Sequence, residues 1–156
     1  MENISVDKAI FTTRSMRRLR PDPVPREDIE HIVEAATMAP SAGNYQMWAF
    51  VAVTDETIRK KIGAAYRESG NSYIRDTVLV DPSTNAEQMR VYGKAMYTVE
   101  HLAEAPVIIV ACSTIAIPND SAIAAGPFGS LFPAIQNLML AARGRGLGSV
   151  LLTLAT

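Results

Sequence analysis

Hydrophobic residues recur along this chain with two spacings, one typical of amphipathic helices and one typical of buried strands. Apolar residues three and four positions apart predict helices, because that spacing places them on one face. Short unbroken apolar runs, such as WAFVAV at 48–53, predict strands that are buried on both faces. The predicted helices are 5–13, 25–39, 55–68, 87–105 and 128–143, and the predicted strands are 48–53, 106–112 and 149–154.

Polar segments and helix-breaking residues separate these elements. Ser5 and Thr54 are expected to cap the helices that follow them, and Tyr66 lies on the apolar stripe of its helix. Residues 71–84 and 113–127 carry no clear periodicity and are expected to form loops. The order of helices and strands predicts an α+β fold in which helices pack around a small central sheet.

Composition and charge narrow the possible classes of protein. The chain has 156 residues, 48% of them hydrophobic and 20% charged, which is typical of one globular domain. Its formal net charge of −1 argues against non-specific nucleic-acid binding. The longest apolar run is too short for a membrane span, and no signal peptide is recognised at the start. We therefore expect a cytoplasmic protein with neither nucleic acid nor membrane as a partner.

Several familiar catalytic motifs are missing from the sequence. The single cysteine, Cys112, closes an apolar run, and neither histidine lies in a metal-ligand spacing, so no metal site is predicted. The GRGLGS segment at 144–149 follows a helix and precedes a strand, the reverse of a dinucleotide-binding loop. No Gly-x-Ser-x-Gly motif is present, and we assign no catalytic side chain.

An arginine cluster follows the first predicted helix. Four arginines occupy seven positions, 14–20, and three prolines follow within the next five. Guanidinium groups flanking a hydroxyl form a good anion pocket, which favours Arg14, Ser15 and Arg17 as ligand-binding residues. Arg18 and Arg20 are expected to face water.

A second candidate segment is the polar loop PSAGNYQMW at 40–48. Ser41, Asn44 and Gln46 lie close together, and the amides offer both a donor and an acceptor to the edge of a heterocycle. Ala42 and Gly43 leave the backbone open to close approach by a flat ring.

Together the two segments resemble the FMN-dependent nitroreductase family. The matching motifs are RSMR at 14–17, the prolines of 21–25 and the 40–48 loop. Two later segments are also similar to the family's second core strand and to its central helix, namely AEAPVIIVAC and AIQNLMLAARGRGLGSVLLT. The resemblance implies a nitroreductase-like α+β fold with a mostly antiparallel sheet, in one flavin-binding domain over 1–156. It further implies a homodimer with the flavin site at the subunit interface.

The resemblance also implies roles for particular residues, with FMN as cofactor and NAD(P)H as reductant. Arg14, Ser15 and Arg17 would contact the phosphate, the ribityl chain and the pyrimidine edge, with Arg17 near N1 and O2. The backbone around Leu152 and Thr153 would reach the N5 edge. The acceptor would be a nitroaromatic, a quinone or a similar flat molecule. The residues expected to line the ring from the partner subunit are Pro40, Ser41, Asn44 and Gln46.

The sequence departs from the family pattern at three points. Thr13 replaces an arginine found in many members, and Met47 replaces the usual proline before Trp48. Family chains also continue beyond the point where this sequence stops, so we expect the family's C-terminal portion to be lacking. Two alternatives stay open: reductive dehalogenation or flavin breakdown, for which no lid is recognised, and a degenerate module that dimerises or binds an anion without turnover.

Overall fold

A computed structural model describes residues 4–117 and 121–153. The helices are α1 (Val6–Thr12), α2 (Arg26–Thr37), α3 (Glu56–Gly70), α4 (Ala86–His101) and α5 (Ser121–Gly144), and the strands are β1 (Trp48–Val53) and β2 (Ile108–Ser113). Short 3₁₀ turns cover Ala42–Asn44 and Leu102–Glu104, and a π-helix covers Asn71–Val78. Most of the predicted elements are confirmed within a few residues of their expected bounds.

The N-termini of the helices are fixed by side chains that satisfy free backbone donors. Ser5 accepts from the Lys8 amide at 3.1 Å, which confirms the first expected cap. The second is wrong by one residue, because Asp55 and not Thr54 accepts from the Ile58 amide, at 2.9 Å. A carboxylate is the stronger acceptor and also suits the positive end of the helix dipole.

The described residues divide into two compact units, and the first contains the sheet. Unit 1 comprises the described parts of Met1–Arg14, Val24–Ala52 and Ile109–Ser149. The two strands pair antiparallel, and the Thr114 amide just after β2 donates to the Met47 carbonyl just before β1, at 3.0 Å. Its buried core joins α2 to α5, and its members are Ile32, Ala36, Ala39, Ala134, Leu138 and Ala142.

Unit 2 is built mainly from α3, the π-helix and α4. It comprises Ser15–Pro23, Val53–Ile108 and the described part of Val150–Thr156. Its core combines residues of all three helices with one residue of the following 3₁₀ turn, namely Tyr66, Ile74, Met96, Val99 and Leu102, and Leu152 packs against them. The prediction of a single domain over 1–156 is not tested by this division and stays a prediction.

Three predicted features of the fold are wrong. Residues 150–153 form no strand, and Leu152 instead packs, partly buried, against the core of unit 2; Leu154 lies outside the described residues. The π-helix occupies most of the expected 71–84 loop, and its Ile74 is 2% exposed. Helix α5 begins at Ser121 and not at 128, and it continues through Pro127 and Pro133 although neither proline has a backbone donor.

The strands are also less buried than their apolar sequence predicts. In β1, Val51 is 52% exposed, and in β2, Val110 is 38% exposed. The prediction that both faces of these strands are buried is therefore wrong for the described residues. Unbroken apolar runs are typical of strands covered on both faces, but such covering depends on neighbours that the run itself does not specify.

Candidate functional site

A cleft of about 330 Å³ lies within unit 2, between the arginine-rich segment, α3, the π-helix, α4 and the end of the described chain. It is lined by Arg17, Tyr66, Tyr73, Ile74, Tyr92, Ala95, Thr98 and the stretch from Val150 to Thr153. Three residues singled out from the sequence, Arg17, Leu152 and Thr153, are therefore brought together although 135 positions separate the first two.

Arg17 provides the charge of this cleft. No carboxylate occurs among the described residues that line it, so the guanidinium has no acidic partner in the wall. Its field reaches Tyr66: burial raises the pKa of the Tyr66 phenol, and the positive charge of Arg17 lowers that pKa in part. The cleft is therefore suited to a ligand that carries negative charge or exposed carbonyl oxygens.

Thr98 gives the cleft an unsatisfied polar group. Its side chain is 5% exposed, and its Oγ1 has no hydrogen-bond partner among the described residues. Buried polar atoms are nearly always hydrogen-bonded, and leaving one unpaired costs about 1–3 kcal/mol. The lining of the cleft therefore includes one buried hydroxyl that has no partner among the described residues.

The sequence analysis missed the aromatic wall of the cleft. Tyr66, Tyr73 and Tyr92 line it, three of the five tyrosines of the chain. Tyr66 was placed on a core stripe, and it is indeed 6% exposed, but its ring also faces the cleft. Four of the five tyrosines lie within 66–97, and this concentration is the signal that the sequence offers.

The loop between α2 and β1 belongs to unit 1, and its own hydrogen bonds fix its shape. The Gln46 amide donates to Ser41 Oγ at 3.1 Å, and Gln46 Nε2 donates to Asn44 Oδ1 at 3.2 Å. Gly43, Asn44 and Gln46 have φ values of 58°, 57° and 50°. A left-handed conformation is costly for glutamine, so this loop holds a strained backbone that its hydrogen bonds must support.

A buried serine of α5 anchors the same loop. Ser130 is 1% exposed, accepts from the Ala42 amide at 3.0 Å and donates to the Gly126 carbonyl at 2.8 Å. No pattern in the sequence indicates this contact, which joins residues 88 positions apart. The amide side chains of Asn44 and Gln46 remain exposed on the surface of this anchored turn.

The remaining site residues predicted from the sequence are exposed. Arg14 belongs to unit 1, Ser15 belongs to unit 2, and Pro40 precedes the anchored loop. The predicted binding roles of the nine residues are not tested by a bound ligand. They therefore stay predictions.

Within the part of the chain that the structure describes, no group of three or more histidine, cysteine, aspartate or glutamate side chains is arranged to hold a metal ion. Within the same residues, no helix combines the length and apolar character that crossing a membrane requires.

The sequence matches the Nitroreductase family over residues 10–155, and the chain belongs to that family. Among curated relatives, it is 30% identical over 140 residues to a 5,6-dimethylbenzimidazole synthase of Rhodospirillum rubrum, covering 86% of this chain and 62% of the relative. It is 39% identical over 74 residues to an NADH dehydrogenase of Thermus thermophilus, covering 46% of this chain and 34% of the relative. The chain thus spans less than two thirds of the length of these relatives.

Solved structures confirm the fold. An iodotyrosine deiodinase bound to FMN and 3-iodo-L-tyrosine superposes with a TM-score of 0.75 at 24% identity, covering 96% of this chain and 74% of that one. A nitroreductase with bound FMN from Desulfitobacterium hafniense gives a TM-score of 0.66 at 21% identity, covering 99% of this chain and 72% of that one. The predicted nitroreductase-like fold with an antiparallel sheet is therefore confirmed.

Proposed function

We propose that this protein is an FMN-dependent oxidoreductase that works as a homodimer in the cytoplasm. It passes electrons from NAD(P)H to nitroaromatic, quinone or similar flat acceptors. The observation that carries the proposal is the cleft of unit 2, where Arg17 meets the stretch containing Leu152 and Thr153. Family membership supports the same conclusion, and two of the structural neighbours are described as FMN-bound.

The residues of the cleft fit a flavin. A flavin ring is planar and carries carbonyl oxygens on its pyrimidine side, and the cleft offers aromatic surface, one cation and the unpaired hydroxyl of Thr98. FMN, when bound, supplies hydride acceptance from NAD(P)H and electron delivery to the acceptor. Arg17 would hold the pyrimidine edge and favour negative charge there, because its guanidinium is permanently protonated.

The other predicted residues have supporting roles around this centre. Arg14 and Ser15 are exposed and free to bind the phosphate and the ribityl chain through charge-assisted hydrogen bonds. The backbone of Leu152 and Thr153 is in no described strand, so its amides can donate to a ligand edge.

The homodimer is part of the proposal because a second segment is expected to complete the site. The anchored loop carries Ser41, Asn44 and Gln46, with Pro40 at its start, and we propose that it lines the ring bound by the other subunit. The apolar side chains of Val6, Ile10 and Phe11 on α1, which are 72%, 51% and 80% exposed, support a subunit contact through unit 1.

A flavin absorption spectrum of the purified protein, followed by NADH and NADPH oxidation assays with a nitroaromatic and a quinone, tests this function. We expect a yellow protein, or stoichiometric FMN uptake by the colourless one, and acceptor-dependent turnover. Failure to take up FMN would contradict the proposal. Uptake without turnover for any acceptor would instead identify the non-catalytic module considered above.

Halogenated aromatic acceptors are a second candidate class. The chain is 43% identical over 61 residues to an iodotyrosine deiodinase of Haliscomenobacter hydrossis, covering 38% of this chain and 28% of that protein. The same assays should therefore include 3-iodo-L-tyrosine, with iodide release as the measurement. Iodide release that exceeds reduction of the nitroaromatic and the quinone would favour dehalogenation.

A further inference from the structure

The cleft of unit 2 is bordered by a chain of side-chain contacts that the proposed function does not use. The guanidinium carbon of Arg18 lies 5.0 Å from the centroid of the Tyr97 ring. The Tyr97 ring stacks on His101 with centroids 4.2 Å apart and planes 22° apart. His101 Nδ1 lies 2.8 Å from Glu104 Oε1. We call Arg18, Tyr97, His101 and Glu104 the Tyr97 clamp.

The clamp residues are the sequence neighbours of residues that line the cleft. Arg17 and Thr98 line the cleft, whereas Arg18 and Tyr97 contact each other beside it. Each of the two segments therefore presents one residue to the ligand cleft and the adjacent one to the clamp. A contact between Arg18 and Tyr97 consequently limits how far Arg17 can move away from Thr98.

Such a restraint matters because the arginine-rich segment lacks regular structure of its own. Residues 16–23 belong to no helix or strand, and the Arg20–Asp22 ion pair, at 3.2 Å, is a local and largely exposed contact. A surface ion pair of this kind contributes little to order. Tyr97, by contrast, stands on α4, whose buried Met96, Thr98 and Val99 fix it in unit 2.

We propose that Tyr97 is a positioning residue of the flavin site. The face of its ring holds the guanidinium of Arg18, and this contact places the neighbouring Arg17 at the ligand. The proposal rests on the proposed function. It assigns to the arginine cluster a second task besides ligand contact: Arg18 is exposed, as expected, but its guanidinium also lies over the Tyr97 ring. His101 and Glu104 support the ring by stacking and by their mutual contact, and they need not approach the ligand.

The size of the effect follows from the strength of a partly exposed cation–π contact. Such contacts correspond to about a two- to five-fold change in an equilibrium constant. We therefore expect Tyr97→Leu and Arg18→Gln each to weaken FMN binding about two- to five-fold. Tyr97→Phe keeps the aromatic face and should bind within about two-fold of the original chain.

The decisive experiment combines FMN fluorescence-quenching titrations with hydrogen exchange of the ligand-free protein. The variants are Tyr97→Leu, Tyr97→Phe, Arg18→Gln, the Arg18→Gln/Tyr97→Leu double variant, and Arg20→Gln as a control that removes the same charge from the same segment. Because both single changes remove one shared contact, the double variant should bind no more than about two-fold worse than either. Amides of residues 15–20 should exchange faster in Arg18→Gln and Tyr97→Leu than in Arg20→Gln.

The outcomes separate the clamp from the flavin assignment. Equal losses of FMN affinity in Arg18→Gln and Arg20→Gln would overturn the clamp. So would a loss in the double variant that equals the product of the two single losses. Neither result would contradict FMN binding by the unaltered chain. Unchanged amide hydrogen exchange of residues 15–20 in Tyr97→Leu would overturn the clamp even if the protein binds no flavin. Failure of the unaltered chain to bind FMN would overturn the proposed function and the positioning role together, while faster exchange would still identify the contact.

Discussion

At the scale of single residues, the decisive feature is a cation in a cleft wall that carries no carboxylate among its described residues. The sequence sets Arg17 apart from Arg18 and Arg20 only by its place in the RSMR motif. In the structure, Arg17 lines the cleft of unit 2 together with Thr98, whereas Arg18 and Arg20 do not line it. The role of a charged residue thus depends on which neighbours it meets in space.

Arg17→Gln should weaken FMN binding about ten- to hundred-fold. The change removes a charge-assisted hydrogen bond, and such bonds contribute about 1.5–3 kcal/mol. Titration of the apoprotein with FMN measures the effect. Arg20→Gln is the matched control and should change affinity by less than about three-fold, because Arg20 pairs with Asp22 on the surface. Similar losses in the two variants would mean that only overall charge matters.

The stability of the protein should fall at alkaline pH because of Tyr66. Burial raises the folded-state pKa of this phenol above its unfolded value of about 10, so the contribution is complete below pH 10 and declines above it. Urea unfolding at pH 8 and pH 11 measures the decline. Tyr66→Phe, which has no ionisable group, should show a smaller decline; an equal one would exclude Tyr66 as the cause.

At the scale of elements, the approach of α3 to α4 forms the base of the cleft. A Cβ at Gly70 would lie 2.5 Å from Val99 Cγ2 and 2.8 Å from Cγ1, and Val99 is 1% exposed. The end of α3 therefore reaches this position only without a side chain. The π-helix that carries Tyr73 and Ile74 begins at the next residue, so the close approach also sets where the cleft wall starts.

Gly70→Ala should lower the free energy of unfolding by about 1–3 kcal/mol, because the buried valine cannot yield enough space. Gly93→Ala in α4 is the matched control, since nothing lies within 4 Å of a Cβ built there. That change should raise stability by up to about 1 kcal/mol through helix propensity alone. Chemical denaturation of both variants measures the difference, and a stabilised Gly70→Ala would contradict the packing argument.

The elements that the sequence predicted best are those with a clear apolar pattern. Helix α2, which has a helical apolar period, and strand β1, which is an unbroken apolar run, lie close to their expected bounds. The π-helix has no such pattern, and the early start of α5 is concealed by Pro127. For the π-helix, packing of Ile74 against the core of unit 2 overrides weak local preferences.

At the scale of the whole molecule, the exposed apolar residues of α1 favour association of two chains. Light scattering should give twice the mass of one chain, and Phe11→Ser should shift the equilibrium towards the monomer. Val80→Ser is the control, because Val80 is similarly exposed, at 67%, but lies in unit 2, away from α1 along the chain. A monomeric unaltered chain that still binds FMN would contradict the dimeric site.

The sequence by itself determined the family and the fold class, and it singled out the arginine-rich segment and the 40–48 loop as candidate site segments. Motifs such as RSMR and the 40–48 loop are local, and hydrophobic period is a property of consecutive residues. Tertiary structure alone decided that Arg17 shares a cleft with Thr98, three tyrosines and the backbone near Leu152. Contacts between distant positions leave no periodic trace, and backbone amides leave no side-chain signature, so neither can be read along the chain.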